Sequence, residues 1–115
     1  MNPQVKQKWV SALRSGEYPQ ITRRLHTDNG FCCLGVLCDL YGKENNVEWE
    51  LECGNIYEFN LYVFQGNGTF LPLSVVEWSG LENGSPYVDG GKTLALLNDH
   101  GKTFEEIADV IEEQL

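Results

Sequence analysis

The chain predicts an α+β fold: a single compact domain over residues 1–115, with helices packed on a small antiparallel sheet at about residues 47–70. Three observations carry this expectation. Apolar residues recur at helical spacing near both ends and again after residue 32, the period shortens to two beyond Val47, and 115 residues of 42% hydrophobic content suffice for one core. The twelve glycines and four prolines punctuate these stretches.

Asn2 is placed to cap a first helix, with Pro3 in its first turn and Val5, Trp9, Ala12 and Leu13 on one face before Ser15-Gly16 stops it. Residues 17–30 hold Pro19, paired arginines and Asp28-Asn29-Gly30 without sustained periodicity, and read as a long ordered loop of the kind that often carries function. A second helix follows on Cys33, Val36, Leu37, Leu40 and Tyr41, with Gly42 as its stop. Val47, Trp49 and Leu51 then alternate with Glu48, Glu50 and Glu52 as in a half-buried strand. Cys53-Gly54-Asn55 is a turn signal, and residues 56–64 are rich enough in aromatic and β-branched side chains to complete a hairpin. A short helix entered at Pro72 or capped by Ser74 should end at Gly80. Two Gly-Lys-Thr triplets ten residues apart each open a helix at its threonine, and Thr103 with Glu106 has the spacing of a capping box. Phe104, Ile107, Ala108 and Ile111 form the apolar stripe of the terminal helix.

Charge narrows the partners. Seventeen acidic and eight basic residues give a formal charge of −9, which disfavours binding to a nucleic-acid backbone. Lys6, Lys8, Arg14, Arg23 and Arg24 all precede residue 25, so an anionic small molecule is expected near that third. No apolar run approaches the roughly 20 residues of a membrane helix, and the first residues lack the apolar segment of a secretory signal. A cytoplasmic protein with no membrane partner is the expectation. Four cysteines, two of them adjacent, do not form a spaced disulfide framework, so reduced thiols are expected.

The Gly-Lys-Thr triplets are not phosphate loops. That loop needs a glycine five positions before its Gly-Lys-Thr glycine, where this chain has Pro86 and Leu96. Lys102, beside a helix N-terminus, is still placed to meet an anion. Cys32, Cys33, Cys38 and Cys53 lack the paired spacing of a zinc knuckle, so no metal or other cofactor is expected.

Two resemblances bear on function. Asn29-Gly30-Phe31-Cys32-Cys33-Leu34-Gly35-Val36 resembles the Asn-Gly-Phe-Asp-Cys-Ser-Gly-Leu motif of NlpC-type cell-wall peptidases, in which the cysteine opens a helix and is the nucleophile. It implies Cys33 as nucleophile, at a helix start that would lower its pKa. Here Cys32 and Leu34 replace the motif's Asp and Ser, and the only later histidine is His100, in Asn98-Asp99-His100. The second covers most of the chain. Lys8-Trp9-Val10 with Ala12-Leu13-Arg14-Ser15-Gly16-Glu17-Tyr18, Phe31-Cys32-Cys33-Leu34-Gly35-Val36-Leu37-Cys38-Asp39, and Leu97-Asn98-Asp99 with Gly101-Lys102-Thr103-Phe104 and Ile107-Ala108 resemble a family of small bacteriophage proteins. That implies a phage origin, hence the host cytoplasm, and places Gln20 at the family's usual offset after Gly-x-Tyr, although Pro19 and Ile21 depart from the more basic, glycine-rich loop expected there.

Together these readings favour binding over catalysis. A small acidic phage protein without a catalytic constellation suits counter-defence, by sequestering a nucleotide-derived immune signal or blocking a host defence protein. Arg14, Arg23 and Arg24 suit bidentate phosphate contacts, Tyr18, Trp9 or Trp49 suit stacking on a base, and Asn98 and Asp99 suit a ribose or base edge. The alternatives are the Cys33 hydrolase and an acidic DNA mimic built on the 44–58 stretch and the tail. The sequence leaves a homodimer open.

Overall fold

The computed structural model describes residues 1–53 and 56–115. Among the described residues there are five α-helices, three of them opened by a side-chain cap. Helix α1 (Pro3–Arg14) starts where the Asn2 side chain accepts the Gln4 and Val5 N–H groups at 2.8 and 3.1 Å, and it buries Val5, Trp9, Val10 and Leu13. Helix α2 (Cys33–Asn45) is central: every residue from Cys33 to Cys38 is buried. Helix α3 (Leu73–Ser79) is entered at Pro72 and closed by Gly80 in the left-handed region, at φ 74. Helices α4 (Leu94–Asp99) and α5 (Phe104–Gln114) start at Thr93 and Thr103, the latter with a complete capping box. A single 3-10 turn at Asp89–Gly91 precedes α4. Among the described residues no helix is long and apolar enough to cross a membrane.

The sheet has four short strands, β1 (His26–Thr27), β2 (Gly30–Phe31), β3 (Glu50–Leu51) and β4 (Leu61–Val63), in the order β2-β1-β4-β3 and antiparallel throughout. The α+β class is therefore observed, with helices on a small antiparallel sheet. Its boundaries differ from the sequence expectation. Half of its strands come from the 17–30 stretch read as loop, because Asp28-Asn29-Gly30 closes a hairpin there and His26 pairs with both Phe31 and Tyr62. Among the described residues of 47–64 the strands are Glu50–Leu51 and Leu61–Val63, with an isolated bridge from Phe64 to Asn67, and both β3 residues are exposed. The turn expected at Cys53-Gly54-Asn55 lies partly outside the described residues.

Helix α2 also runs one turn past Gly42. The left-handed residue that ends it is Asn46, at φ 58, while Gly42 stays helical because the Val47 carbonyl and the Phe64 ring occupy the space a Cβ would need.

Helix α1 lies along α5 and α2, and α2 also touches α3, α4 and β2. Trp9 is fully buried, and its indole N–H donates to the Cys33 carbonyl at 2.9 Å, tying α1 to the first turn of α2. Gly35 sits where the backbone of Leu25 crosses α2, so any Cβ there would strike the Leu25 carbonyl. That carbonyl also accepts the Cys32 N–H, so it cannot move aside without breaking the start of α2. Gly35→Ala should therefore cost about 3 kcal/mol or more and lower the melting midpoint by roughly 10 °C, read by thermal and urea denaturation.

Candidate functional site

The segment between α1 and β1 is held as a fixed frame. Its residues 19–21 run along β2: the Phe31 N–H donates to the Pro19 carbonyl at 2.8 Å, and the Ile21 N–H donates to the Phe31 carbonyl at 2.9 Å. Gly30, at φ 147, is needed because Pro19 leaves no room for a Cβ. Asn98, buried in α4, locks the frame to the helices. Its Oδ1 accepts the Cys33 N–H at 3.2 Å and the Gln20 side-chain N–H at 3.0 Å, and its Nδ2 donates to the Ile21 carbonyl at 2.8 Å. Gln20 in turn donates to the Lys102 carbonyl at 2.8 Å and accepts the Phe104 N–H at 3.1 Å.

Beyond this brace the chain turns sharply. Arg23 adopts φ 70, a left-handed conformation uncommon for a residue with a Cβ, and the Asp99 carboxylate holds it there by accepting the Arg23 N–H at 2.8 Å. Among the described residues the Arg23 guanidinium makes no hydrogen bond or ion pair. Arg24 differs: it donates to Glu52 and to the Tyr62 carbonyl, both at 3.2 Å, and lies against Gly68, while its buried Nε has no partner among the described residues.

Two clefts flank this arginine pair. One, of about 710 Å³, opens between Arg23, Arg24, Thr22, Asn29 and an aromatic arm carrying Tyr57 and Phe59. The other, of about 230 Å³, lies towards Phe70, Thr69 and Asp99. The arm's rings stack, with centroids 5.4 Å apart and planes 22° apart. Asp28 anchors the arm's far end by accepting the Tyr62 hydroxyl at 2.7 Å and the Asn60 N–H at 2.8 Å. These two donors favour the carboxylate and hold Asp28 below its ordinary 3.8. A larger hollow, of about 910 Å³, lies away from the arginines beside the end of α2, where Asp39 accepts from Tyr18 and Trp49 and pairs with Lys43. Its one lining cation is thus committed, which makes the Arg23 cleft the better place for an anion.

Of the residues expected to bind a ligand, Gln20, Arg23 and Arg24 line this cleft. The others are engaged elsewhere, for physical reasons. Arg14 straps α1 to α5 through Asp109 and Glu112, at 2.6 and 2.7 Å. Tyr18 donates to Asp39 at 2.6 Å, beneath the Lys43 ammonium. Lys102 pairs with Glu106 at 3.7 Å. Asn98 and one oxygen of Asp99 are used by the frame, and Trp9 is core. Sequence reasoning passed over Asn29, Tyr57 and Phe59; the Asp-Asn-Gly turn signal marked the first, and only the non-local pairing of β1 with β4 brings the arm beside it.

The thiols point away from catalysis. Cys33 is wholly buried, and desolvation raises its pKa well above the ordinary thiol range, opposite to the helix-start activation expected of a nucleophile. Burial likewise pushes Cys32 up to about 11 and raises Cys38, while His100 sits exposed at the end of α4. The acidic residues of α5 do not form a bare DNA-like row either, since Asp109, Glu112 and Glu106 carry cationic partners. No group of three or more His, Cys, Asp or Glu among the described residues could hold a metal ion.

Fold and cleft together define a small α+β domain with an arginine-edged cleft. The chain matches, over residues 1–115, the family model described as Domain of unknown function (DUF8296), and it belongs to that family. No curated protein and no solved structure matches it.

Two outcomes follow from this geometry. Native labelling with a thiol reagent should modify the exposed Cys53 quickly and leave Cys32, Cys33 and Cys38 protected until denaturant is added, read by mass spectrometry. Because the Asp28 pKa is lower in the folded chain, its stabilisation is complete above the unfolded value and lost as pH falls through the folded one. Asp28→Asn should remove that acid-side loss and speed amide exchange at Asn60 and Tyr62 at neutral pH, measurable by NMR.

Proposed function

We propose that this protein is a binding module for a small anionic ligand carrying a phosphate and a planar ring, a nucleotide-derived molecule, held in the cleft beside Arg23. Sequestering such a molecule fits a counter-defence role in a phage-infected host. The observation that carries the reading is Arg23 itself: a guanidinium with no partner among the described residues, at the mouth of a cleft, on a backbone held left-handed by Asp99. Strain of this kind persists where the surroundings over-determine it, and such residues cluster at ligand clamps. A planar fork of donors suits phosphate oxygens, and the Tyr57–Phe59 arm supplies ring faces for stacking. Asn29 and Thr22 add polar groups on the cleft wall.

The test is a thermal-shift screen against cyclic dinucleotides, cyclic oligonucleotides, ADP-ribose derivatives and ordinary nucleotides. A ligand at about 100 times its dissociation constant adds roughly 2.7 kcal/mol, a shift near 10 °C for a chain of this size. Arg23→Ala should abolish that shift while moving the unliganded midpoint by no more than about 2 °C, since both residues carry a Cβ and the side chain touches no partner. A response retained in Arg23→Ala would place binding elsewhere. No response to any class would refute the small-molecule reading and leave the blocking of a host protein.

A further inference from the structure

The two edges of the sheet are treated differently. The outer side of β2 is covered by residues 19–21, through the bonds between Phe31 and both Pro19 and Ile21. The outer side of β3 has no such cover among the described residues. The register shows which backbone groups it presents. Glu50 stands opposite Val63 and Leu51 opposite Tyr62, and one step further the Glu52 N–H donates to the Leu61 carbonyl at 2.8 Å. Hydrogen-bonded and non-hydrogen-bonded pairs alternate in an antiparallel ladder, so Glu50 is turned towards β4 and Leu51 outward. Trp49 directly precedes the ladder, and its backbone makes no hydrogen bond among the described residues. Leu51 and Trp49 thus offer two donors and two acceptors at the spacing an added strand uses.

The surroundings of this edge say what would add to it. The hollow of about 910 Å³ runs beside residues 46–50 and is walled on the other side by Asp39 and Lys43 of α2. The Asp39 and Lys43 charges cancel at 3.1 Å, which leaves Glu48 and Glu50, both exposed and with no side-chain ion pair or hydrogen bond among the described residues, to set the sign. Leu51 is 56% exposed, apolar and on the edge. An incoming segment therefore meets alternating carboxylate and apolar positions. A second copy of β3, in any register that keeps Leu51 on a common face, sets carboxylates against carboxylates, which is unfavourable.

We propose that the β3 edge and the hollow beside it dock an extended segment of a partner protein in which lysine or arginine alternates with apolar residues, added to the sheet as a fifth strand. The backbone of Trp49 and Leu51 holds the segment, and Glu48 and Glu50 select its charge. This surface is independent of the Arg23 cleft.

The probe is an acetylated, amidated hexapeptide alternating lysine and valine, titrated into the isotopically labelled protein and followed by NMR amide exchange at about 0.15 M salt, where non-specific attraction is damped. Saturating peptide should protect the Leu51 and Trp49 amides about tenfold or more, while the Glu50 amide, already inside the sheet, changes little. Glu48→Lys combined with Glu50→Lys should weaken binding roughly tenfold or more, and both side chains are free, so the fold is preserved. Leu51→Pro removes only an outward donor, the place where an edge strand tolerates proline, and should also abolish binding. Peptide that binds without protecting Leu51, binding unchanged in the double variant, or no binding would each overturn the proposal. Protection of Leu51 that grows with protein concentration in the absence of peptide would overturn it in favour of a second copy.

Discussion

The buried amide of Asn98 is the constraint on which the arrangement hangs. One side chain accepts the first N–H of α2, accepts from Gln20 and donates to the backbone of Ile21, so a helix start, a crossing segment and α4 are fixed relative to one another. Each of these groups would be costly to leave unpaired away from water, and no apolar side chain of similar size replaces the set. Gln20 extends the brace to the first turn of α5 through Lys102 and Phe104. The position of Asp99 follows, because it is the next residue of the same short helix, and so does the left-handed turn at Arg23 that Asp99 holds. The cleft is thus a consequence of core architecture, two residues removed from a buried polar group at its centre.

The small sheet is held less by its ladders than by rings. His26 stacks on Phe31 at 3.9 Å and 7°, and on Tyr62 at 4.7 Å and 21°, so three strands are joined by one imidazole between two aromatic faces. Its Nδ1 lies 2.8 Å from the Gly30 carbonyl, which requires a proton on that nitrogen and keeps the ring in the stack. Trp49 closes the layer against His26 and Phe64, and Tyr41 and Trp78 continue it towards α3. Strands of two or three residues pair stably here because the rings above them supply burial that such short ladders cannot.

This division explains what the sequence revealed. The helices were legible because their signals are local: Asn2, Pro72, Thr93 and Thr103 begin them, and Gly80 ends one, with apolar spacing marking the buried faces. Gly42 misled because its reason is tertiary, the approach of Phe64 and Val47, and a small residue inside a helix looks like a stop when its neighbours are unseen. The sheet was half legible. The alternation from Val47 to Glu52 located β3, but the pairing of β1 with β4 spans more than thirty residues and leaves no local period. Among the candidate residues, sequence chemistry named polar types and could not assign their use. An amide that holds a core and an amide that reads a ligand have the same letter; Asn98 and Gln20 became structural only when the helix start and the crossing loop met over them.

The overall charge of −9 gives the Arg23 cleft its character as a proposed ligand site. A long polyanion laid across this surface would have to pass Glu52 and the carboxylates of the β3 edge, and repulsion at each would offset what two arginines return. A compact anion need approach only Arg23 and the free side of Arg24, at contact distance, where attraction is little screened, while at physiological salt the remaining negative charge is damped beyond about 8 Å. On the proposed reading the acidic surround is a filter by size, set against nucleic-acid polymers and open to a nucleotide-sized molecule. The same field has the opposite effect at the β3 edge, where it favours the cationic segment proposed to dock there. The two proposed sites thus take opposite partners from one charge distribution, with the local arginine pair marking the face proposed for an anion.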